Sequence, residues 1–168
     1  ANRLVGSEMC IRDSTTPEQE YHSLINDVTL WDVAAERQVE IIGEDAAKFV
    51  QYMTPRNLST FKDGFCRYAF MTDEDGGIIN DPLILKFNEN KFWLSIADSD
   101  AILWCKGIAH SGKFNVKISE PEACPLSLQG PRSKELMRKI TNDDPIIMGL
   151  KYYQFICLLY TSPSPRDG

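Results

Sequence analysis

The sequence predicts an α+β fold of mainly antiparallel sheet with packed helices. Three observations carry that expectation. Short apolar–polar alternations recur on either side of tight polar turns such as Asp73-Glu-Asp-Gly-Gly77 and Asn88-Glu-Asn90, and strands joined by so short a turn run antiparallel. Helical stretches fall between groups of strands instead of after every strand, which a doubly wound parallel sheet would require. No GxGxxG, phosphate loop or GxSxG elbow opens any of them.

The elements follow in order. Thr16-Pro17-Glu18-Gln19-Glu20 starts a helix, with a capping hydroxyl, proline in the first turn and acids at the positive end of the dipole. This helix is expected to reach about Asn26. Thr29-Leu-Trp-Asp-Val33 has strand character, and Arg37-Gln-Val-Glu-Ile-Ile42 alternates as a half-buried strand that Gly43 ends. From Glu44 to Met53, Ala47, Val50 and Met53 share one helix face with Phe49 beside it, and Pro55 stops the helix. Phe65 to Met71 and Ile78 to Phe87 form two strands around the Gly76-Gly77 turn, the second interrupted by Asn80-Asp81-Pro82. Lys91 to Ala97 is a strand. Asp98-Ser99-Asp100 caps a helix through about Ala109, and Lys113 to Ile118 and Ala123 to Gln129 are strands. Arg132 to Ile140 is a helix with Leu136, Met137 and Ile140 inward, and Leu150 to Phe155 begins a further strand. No internal repeat, low-complexity linker or clear domain boundary interrupts this run.

Composition bounds the function. The apolar fraction of 43% supports a packed core. A formal net charge of −6 disfavours a surface that tracks nucleic-acid phosphates. No apolar run is long enough to cross a bilayer, and residues 1–14 lack the apolar core of a secretory signal. A cytoplasmic protein is therefore expected. Cys10, Cys66, Cys105, Cys124 and Cys157 show no CxxC spacing, so neither a zinc site nor a disulfide framework is expected.

Both ends read as foreign. One codon spelling of Cys157 to Asp167, reverse-complemented and read in a shifted frame, encodes Leu4-Val-Gly-Ser-Glu-Met-Cys-Ile-Arg-Asp13. A single adapter element in opposite orientations accounts for both tails. Residues 1–14 and 157–168 are thus expected to be adapter-derived, leaving 15–156 as a partial domain whose natural sequence continues on each side.

Few residues invite chemistry. His22 and His110 fit no catalytic spacing and read as surface residues. Asp81 interrupts the apolar run Ile78-Ile-Asn-Asp-Pro-Leu-Ile-Leu85, where an unpartnered carboxylate is costly to bury and Pro82 signals an edge or bulge. It either closes a local turn or is aimed into a site. Phe65, Tyr68, Phe70, Phe87, Phe92 and Trp93 surround this segment, as core packing or as a pocket for a flat heterocycle or a cation. Tyr68 is the best pocket candidate, because a turn joins its strand to the one bearing Asp81. Glu36-Arg37 is either a solvated ion pair or part of a site. Gln129-Gly-Pro131 reads as a strand-to-helix turn.

Several segments together resemble the glycine-cleavage T-protein (aminomethyltransferase) superfamily: Leu30-Trp-Asp-Val33, Gly43-Glu-Asp-Ala46, Asp75-Gly-Gly-Ile-Ile-Asn-Asp81 and Leu126-Ser-Leu-Gln-Gly-Pro131. Within it, the chain is most similar to the dimethylsulfoniopropionate (DMSP) demethylase branch. The residues concerned are Trp31-Asp-Val-Ala-Ala-Glu-Arg-Gln-Val39, Asn80-Asp-Pro82, Phe92-Trp-Leu-Ser-Ile-Ala-Asp-Ser-Asp100 and Leu103-Trp-Cys-Lys-Gly-Ile-Ala109. The T-protein proper carries a His-Met pair, Asp-Asp-Leu and Asn where this chain has Ala35-Glu36, Asn80-Asp81-Pro82 and Ala97. The resemblance implies part of a folate-binding domain and a tetrahydrofolate-dependent methyltransferase acting on a small sulfonium or methylated amine. It implies Asp81 as the acidic group facing the pterin, with Tyr68, Leu83 and Glu36 lining the same pocket. Aminomethyl transfer, N-methyl amine demethylation and a non-enzymatic folate-binding module are the alternatives. No metal is expected, and the fragment alone is expected to be inactive.

Overall fold

The computed structural model describes residues 15–96 and 101–157. The predicted cap at Asp98-Ser99-Asp100, Ala97 and nearly all of both tails lie outside the described residues. The fold is α+β, and every paired strand is antiparallel. It divides into two compact units, one of residues up to Ala34 with Cys124–Gly149, the other of Ala35–Ala123 with the chain from Leu150.

The first unit joins chain segments a hundred residues apart. Helix α1 (Pro17–Asn26) begins in the predicted way. The Thr16 hydroxyl accepts from the Gln19 amide, and the Gln19 side chain accepts from the Thr16 amide, so two otherwise orphaned donors are satisfied. Strand β1 (Thr29–Asp32) pairs with β9 (Leu126–Gln129), Thr29 opposite Gln129. Gly130 has φ +121, and a Cβ there would lie 2.4 Å from the Asp27 carbonyl oxygen. Only glycine fits this strand-to-helix turn. Helices α4 (Ser133–Ile140) and α5 (Pro145–Met148) follow. Arg132 bridges Asp27 and Glu135. Leu136 and Met137 are half-buried, but Ile140 is exposed, against the inward placement expected from sequence. The unit's sheet has only two strands.

The second unit is built on a five-stranded sheet of order β3-β6-β7-β2-β8. Its strands are β2 (Gln38–Ile42), β3 (Phe65–Tyr68), β6 (Leu83–Asn88), β7 (Lys91–Ser95) and β8 (Lys117–Ser119). One face carries Val39, Ile41, Ile84, Phe92 and Leu94, fully buried together with Phe49 and Val50 of α2 (Ala46–Tyr52) and Cys105 of α3 (Ala101–Ser111). Each such side chain contributes about 1.5–3 kcal/mol by leaving water. Phe49 also meets Phe114 edge-on, ring centroids 5.2 Å apart.

Several strand expectations change. The segment from Lys113 is not strand until Lys117, because Lys113 turns the chain at φ +54. From Leu150 onward only an isolated bridge forms, Gln154 opposite Phe65. The expected Phe65–Met71 and Ile78–Phe87 strands each break once, giving β3 and β6 below the break and the small pair β4 (Met71–Thr72) and β5 (Ile78–Asn80) above it.

Candidate active site

The break between β5 and β6 falls at Asp81-Pro82. Pro82 has no N–H to give, but its carbonyl accepts from the Ala69 amide at 3.2 Å. The pairing therefore continues across the break: Tyr68 is opposite Leu83 and Met71 opposite Asn80, which sets Asp81 opposite Phe70. Above it Ile79 is the extra residue of a β-bulge between the Met71–Asn80 and Thr72–Ile78 pairs. The turn beyond is closed by Asp73, whose carboxylate accepts from the Asp75 and Gly77 amides.

Because Asp73 closes the turn, Asp81 has no such task. Its side chain is exposed and makes no hydrogen bond or ion pair among the described residues. The turn-closing reading of Asp81 is thereby set aside. The strand breaks at this residue, as Pro82 signalled, and lets the carboxylate reach solvent. Side chains alternate across a sheet. Ala69, Pro82 and Asn80 are buried, whereas Tyr68, Phe70 and Asp81 are exposed and Leu83 half-buried. Asp81, Tyr68 and Leu83 thus belong to one face, opposite the core.

Register extends that face across the second unit. Leu83 is opposite Ser95 and Ser95 opposite Gln38, so Tyr68, Leu83, Ser95 and Gln38 form one row. The Gln38 amide is buried and donates to the Ser95 hydroxyl at 2.9 Å and the Glu36 carbonyl at 2.8 Å. Glu36 is exposed and lies one row further on, at the end of the sheet where Asp81 lies. Arg37 does not pair with Glu36. Its guanidinium grips both oxygens of Glu120, so the expected Glu36–Arg37 ion pair is replaced by one that reaches from the start of β2 to the end of β8.

The next rows are aromatic and charged. Lys91 donates to Glu40 at 2.8 Å and sits over the Phe87 and Trp93 rings. The Trp93 indole donates to Glu40 at 2.9 Å. Burial alone would push the Glu40 carboxyl up, but Lys91 and Trp93 outweigh it and hold it below the usual carboxylate range. Cys66, on the same face, is half-buried, and desolvation pushes its thiol up to about 11. The aromatic residues grouped in sequence divide here. Phe92 is core and Phe65 packs against it, while Tyr68, Phe87 and Trp93 are on the other face.

A concavity of about 300 Å³ opens on the core side, lined in part by Lys48, Gln51, Phe61, Lys86, Glu89 and Phe92. The buried Lys86 ammonium is fully engaged there with the Phe61 carbonyl, Asp63 and Glu89. Burial opposes its charge, yet the two carboxylates hold it above its ordinary range. It has no donor left for a ligand.

Comparison with known proteins now assigns the fold and the family. The GCVT N-terminal domain family matches residues 12–158. The chain belongs to this family. A dimethylsulfoniopropionate demethylase from Ruegeria pomeroyi is 37% identical over 128 residues, 76% of this chain and 35% of the relative. An aminomethyltransferase from Clostridium botulinum strain Okra is 36% identical over 138 residues, 80% of this chain and 37% of the relative. The crystal structure of the glycine cleavage system aminomethyltransferase T from Bartonella henselae superposes with a TM-score of 0.70 at 22% identity, covering 81% of this chain and 37% of that one, a likeness of fold. The GCVT-type chain thus spans a little over a third of the length of these relatives. Among its described residues, no helix is long and apolar enough to cross a membrane.

Sequence reasoning missed Gln38 and Ser95. Their polarity is visible in the alternation of β2 and β7, but alternation alone assigns such residues to solvent. Tyr153 and Phe155, which lie over the same face, were hidden in a segment read only as the start of a strand.

Proposed function

We propose that the whole protein carrying this domain is a tetrahydrofolate-dependent one-carbon transferase, and that its reaction is demethylation of dimethylsulfoniopropionate. The observation that carries the reading is the Asp81 carboxylate, without a partner among the described residues and on one face with Tyr68 and Leu83. That set suits a folate. Tyr68 and Leu83 offer flat apolar contact, and an ionised carboxylate accepts from the N–H groups of a pterin.

Tetrahydrofolate supplies the nucleophile, its N5. Bound there, it would take the methyl group as the C–S bond breaks with its electron pair remaining on sulfur, and N5 would release its proton. The products are methylmercaptopropionate, 5-methyltetrahydrofolate and a proton. A sulfonium is already an activated electrophile, so alignment of sulfur, methyl and nitrogen supplies most of the acceleration. Tyr68 can hold a cation against its ring face. With a folate bound on this face, the Asp81 carboxylate would stabilise positive charge developing on N5 and could accept its proton.

Aminomethyl transfer is the second reading, favoured by the aminomethyltransferase relatives. Ala35-Glu36 and Asn80-Asp81-Pro82, where the T-protein resemblance leads one to expect His-Met and Asp-Asp-Leu, weigh for the demethylase. The test offers the whole protein dimethylsulfoniopropionate, dimethylglycine and an aminomethyl-lipoyl carrier, each with tetrahydrofolate. Methyl transfer from the sulfonium alone is expected, and Asp81→Asn should lower its turnover by at least about tenfold. Folate binding without transfer from any donor would leave a binding module, and unchanged turnover in Asp81→Asn would remove that residue from the reaction.

A further inference from the structure

The dipeptide Asp-Gly occurs twice among the described residues, at Asp63-Gly64 and at Asp75-Gly76. Such a pair can react with itself. The glycine amide nitrogen attacks the Cγ of the preceding aspartate, because glycine puts no side chain in the way and lets the backbone turn toward the carboxyl group. The attack needs a carboxyl group free to turn and an amide free to leave its hydrogen bond.

Asp63-Gly64 has neither freedom. The Asp63 carboxylate pairs with the buried Lys86 ammonium at 3.3 Å. The Gly64 amide donates to the Lys86 carbonyl at 2.8 Å, and the Gly64 carbonyl accepts from the Phe155 amide at 2.9 Å. The glycine is thus held from both sides just before β3. Asp75-Gly76 differs on each count. Asp75 is exposed, and its carboxylate makes no hydrogen bond or ion pair among the described residues. The Gly76 amide reaches the Asp73 carbonyl at 3.3 Å. Gly76 has φ +85, and a Cβ there would meet nothing within 4 Å.

We propose that Asp75-Gly76 is a self-modification site, at which the folded protein converts aspartate to isoaspartate while the fold protects Asp63-Gly64. A bond forms from the Gly76 nitrogen to the Asp75 Cγ, and the carboxyl hydroxyl leaves with the amide proton as water. Water then opens the succinimide ring. If the bond from the Gly76 nitrogen to the Asp75 main-chain carbonyl carbon breaks, the chain runs on through Cβ and Cγ and the former carbonyl becomes a free carboxylate. If the new bond breaks instead, aspartate is restored. Water is lost and regained, so no other reactant is needed. This modification is independent of the reaction proposed above.

Its consequence falls on the hairpin. Asp73 closes the turn, its carboxylate accepting from the Asp75 and Gly77 amides at 3.1 and 2.6 Å and its amide donating to the Gly77 carbonyl at 3.0 Å. Isoaspartate lengthens the backbone between Asp73 and Gly77. The longer path releases that closure and loosens the β4–β5 pair, which runs directly into Asp81.

The test incubates the whole protein at neutral pH, folded and in guanidinium chloride, and measures isoaspartate in each Asp-Gly peptide by mass spectrometry and enzymatic carboxyl methylation. The folded protein should hold at least about tenfold more isoaspartate at Asp75 than at Asp63, the factor for freeing one charge-assisted hydrogen bond. That excess should vanish in denaturant. Asp75→Glu, whose longer side chain would have to close a larger ring, should form none at that site. In the modified fraction the Gly77 amide should exchange its hydrogen faster. Equal accumulation at the two sites in the folded protein overturns the inference, as does an excess at Asp75 that persists in denaturant. Isoaspartate at Asp75 with unchanged exchange at Gly77 overturns the loosening of the hairpin.

Discussion

Replacing Gln38 by alanine tests whether the face carrying Asp81 is an organised surface. The buried amide makes two hydrogen bonds, to the Ser95 hydroxyl and the Glu36 carbonyl. A side-chain hydrogen bond contributes about 1 kcal/mol net, so the substitution should cost about 2 kcal/mol. For a domain of this size that lowers Tm by about 4–8 °C, read by circular dichroism. Part of the loss belongs to the Gln38–Ser95 pair. Gln38→Ala combined with Ser95→Ala should therefore cost less than the sum of the single changes, by about 1 kcal/mol. The same loss unfastens the Glu36 carbonyl, so on the proposed folate-dependent reading tetrahydrofolate affinity should fall as well. A Tm shift below about 1 °C, or strict additivity of the two changes, would refute the reasoning, because the row joining β2 to β7 would then not be held by these bonds.

Two further outcomes are expected. Gly43→Ala should destabilise severely, because at φ +152 a Cβ would lie 2.2 Å from the Asn115 carbonyl oxygen; a loss of soluble protein or a large fall in unfolding midpoint checks it, and a near-neutral effect contradicts the β2–α2 turn. Glu40 contributes a pH dependence whose sign follows from its depressed carboxyl. Its stabilisation is fully present above the ordinary carboxylate pKa of about 4.5 and is lost as pH falls through the lower folded value. The stability gap between wild type and Glu40→Gln should close as urea unfolding is moved from neutral pH to below that value, and a gap unchanged at acid pH would refute the Lys91–Glu40–Trp93 arrangement.

The sequence by itself determined the elements whose signals are local. Thr16-Pro17 through Gln19 dictated the start of α1 because cap, proline and reciprocal side chain all act within one turn. Asp73 through Gly77 dictated a hairpin because its carboxylate and glycine act on their own loop. The alternation of β2 gave its core face through Val39 and Ile41. The fold class and the family resemblance followed from the order of such segments.

Only the tertiary structure decided what depends on partners far along the chain. Residues 15–34 join residues 124–149 by pairing β1 with β9, and no linker marks that division because the unit is assembled from separated segments. Arg37 chose Glu120 over its neighbour Glu36 because β8 lies beside β2. Asp81 was recognisable as an anomaly in an apolar run, but its freedom depends on Asp73 closing the turn and on the break that turns it outward. The edge-on contact of the Tyr68 and Tyr153 rings exists only because a segment more than eighty residues away lies along the edge of β3. Periodicity reports which side of an element is apolar. It carries no information about which distant element will cover the other side, and that covering makes the candidate site.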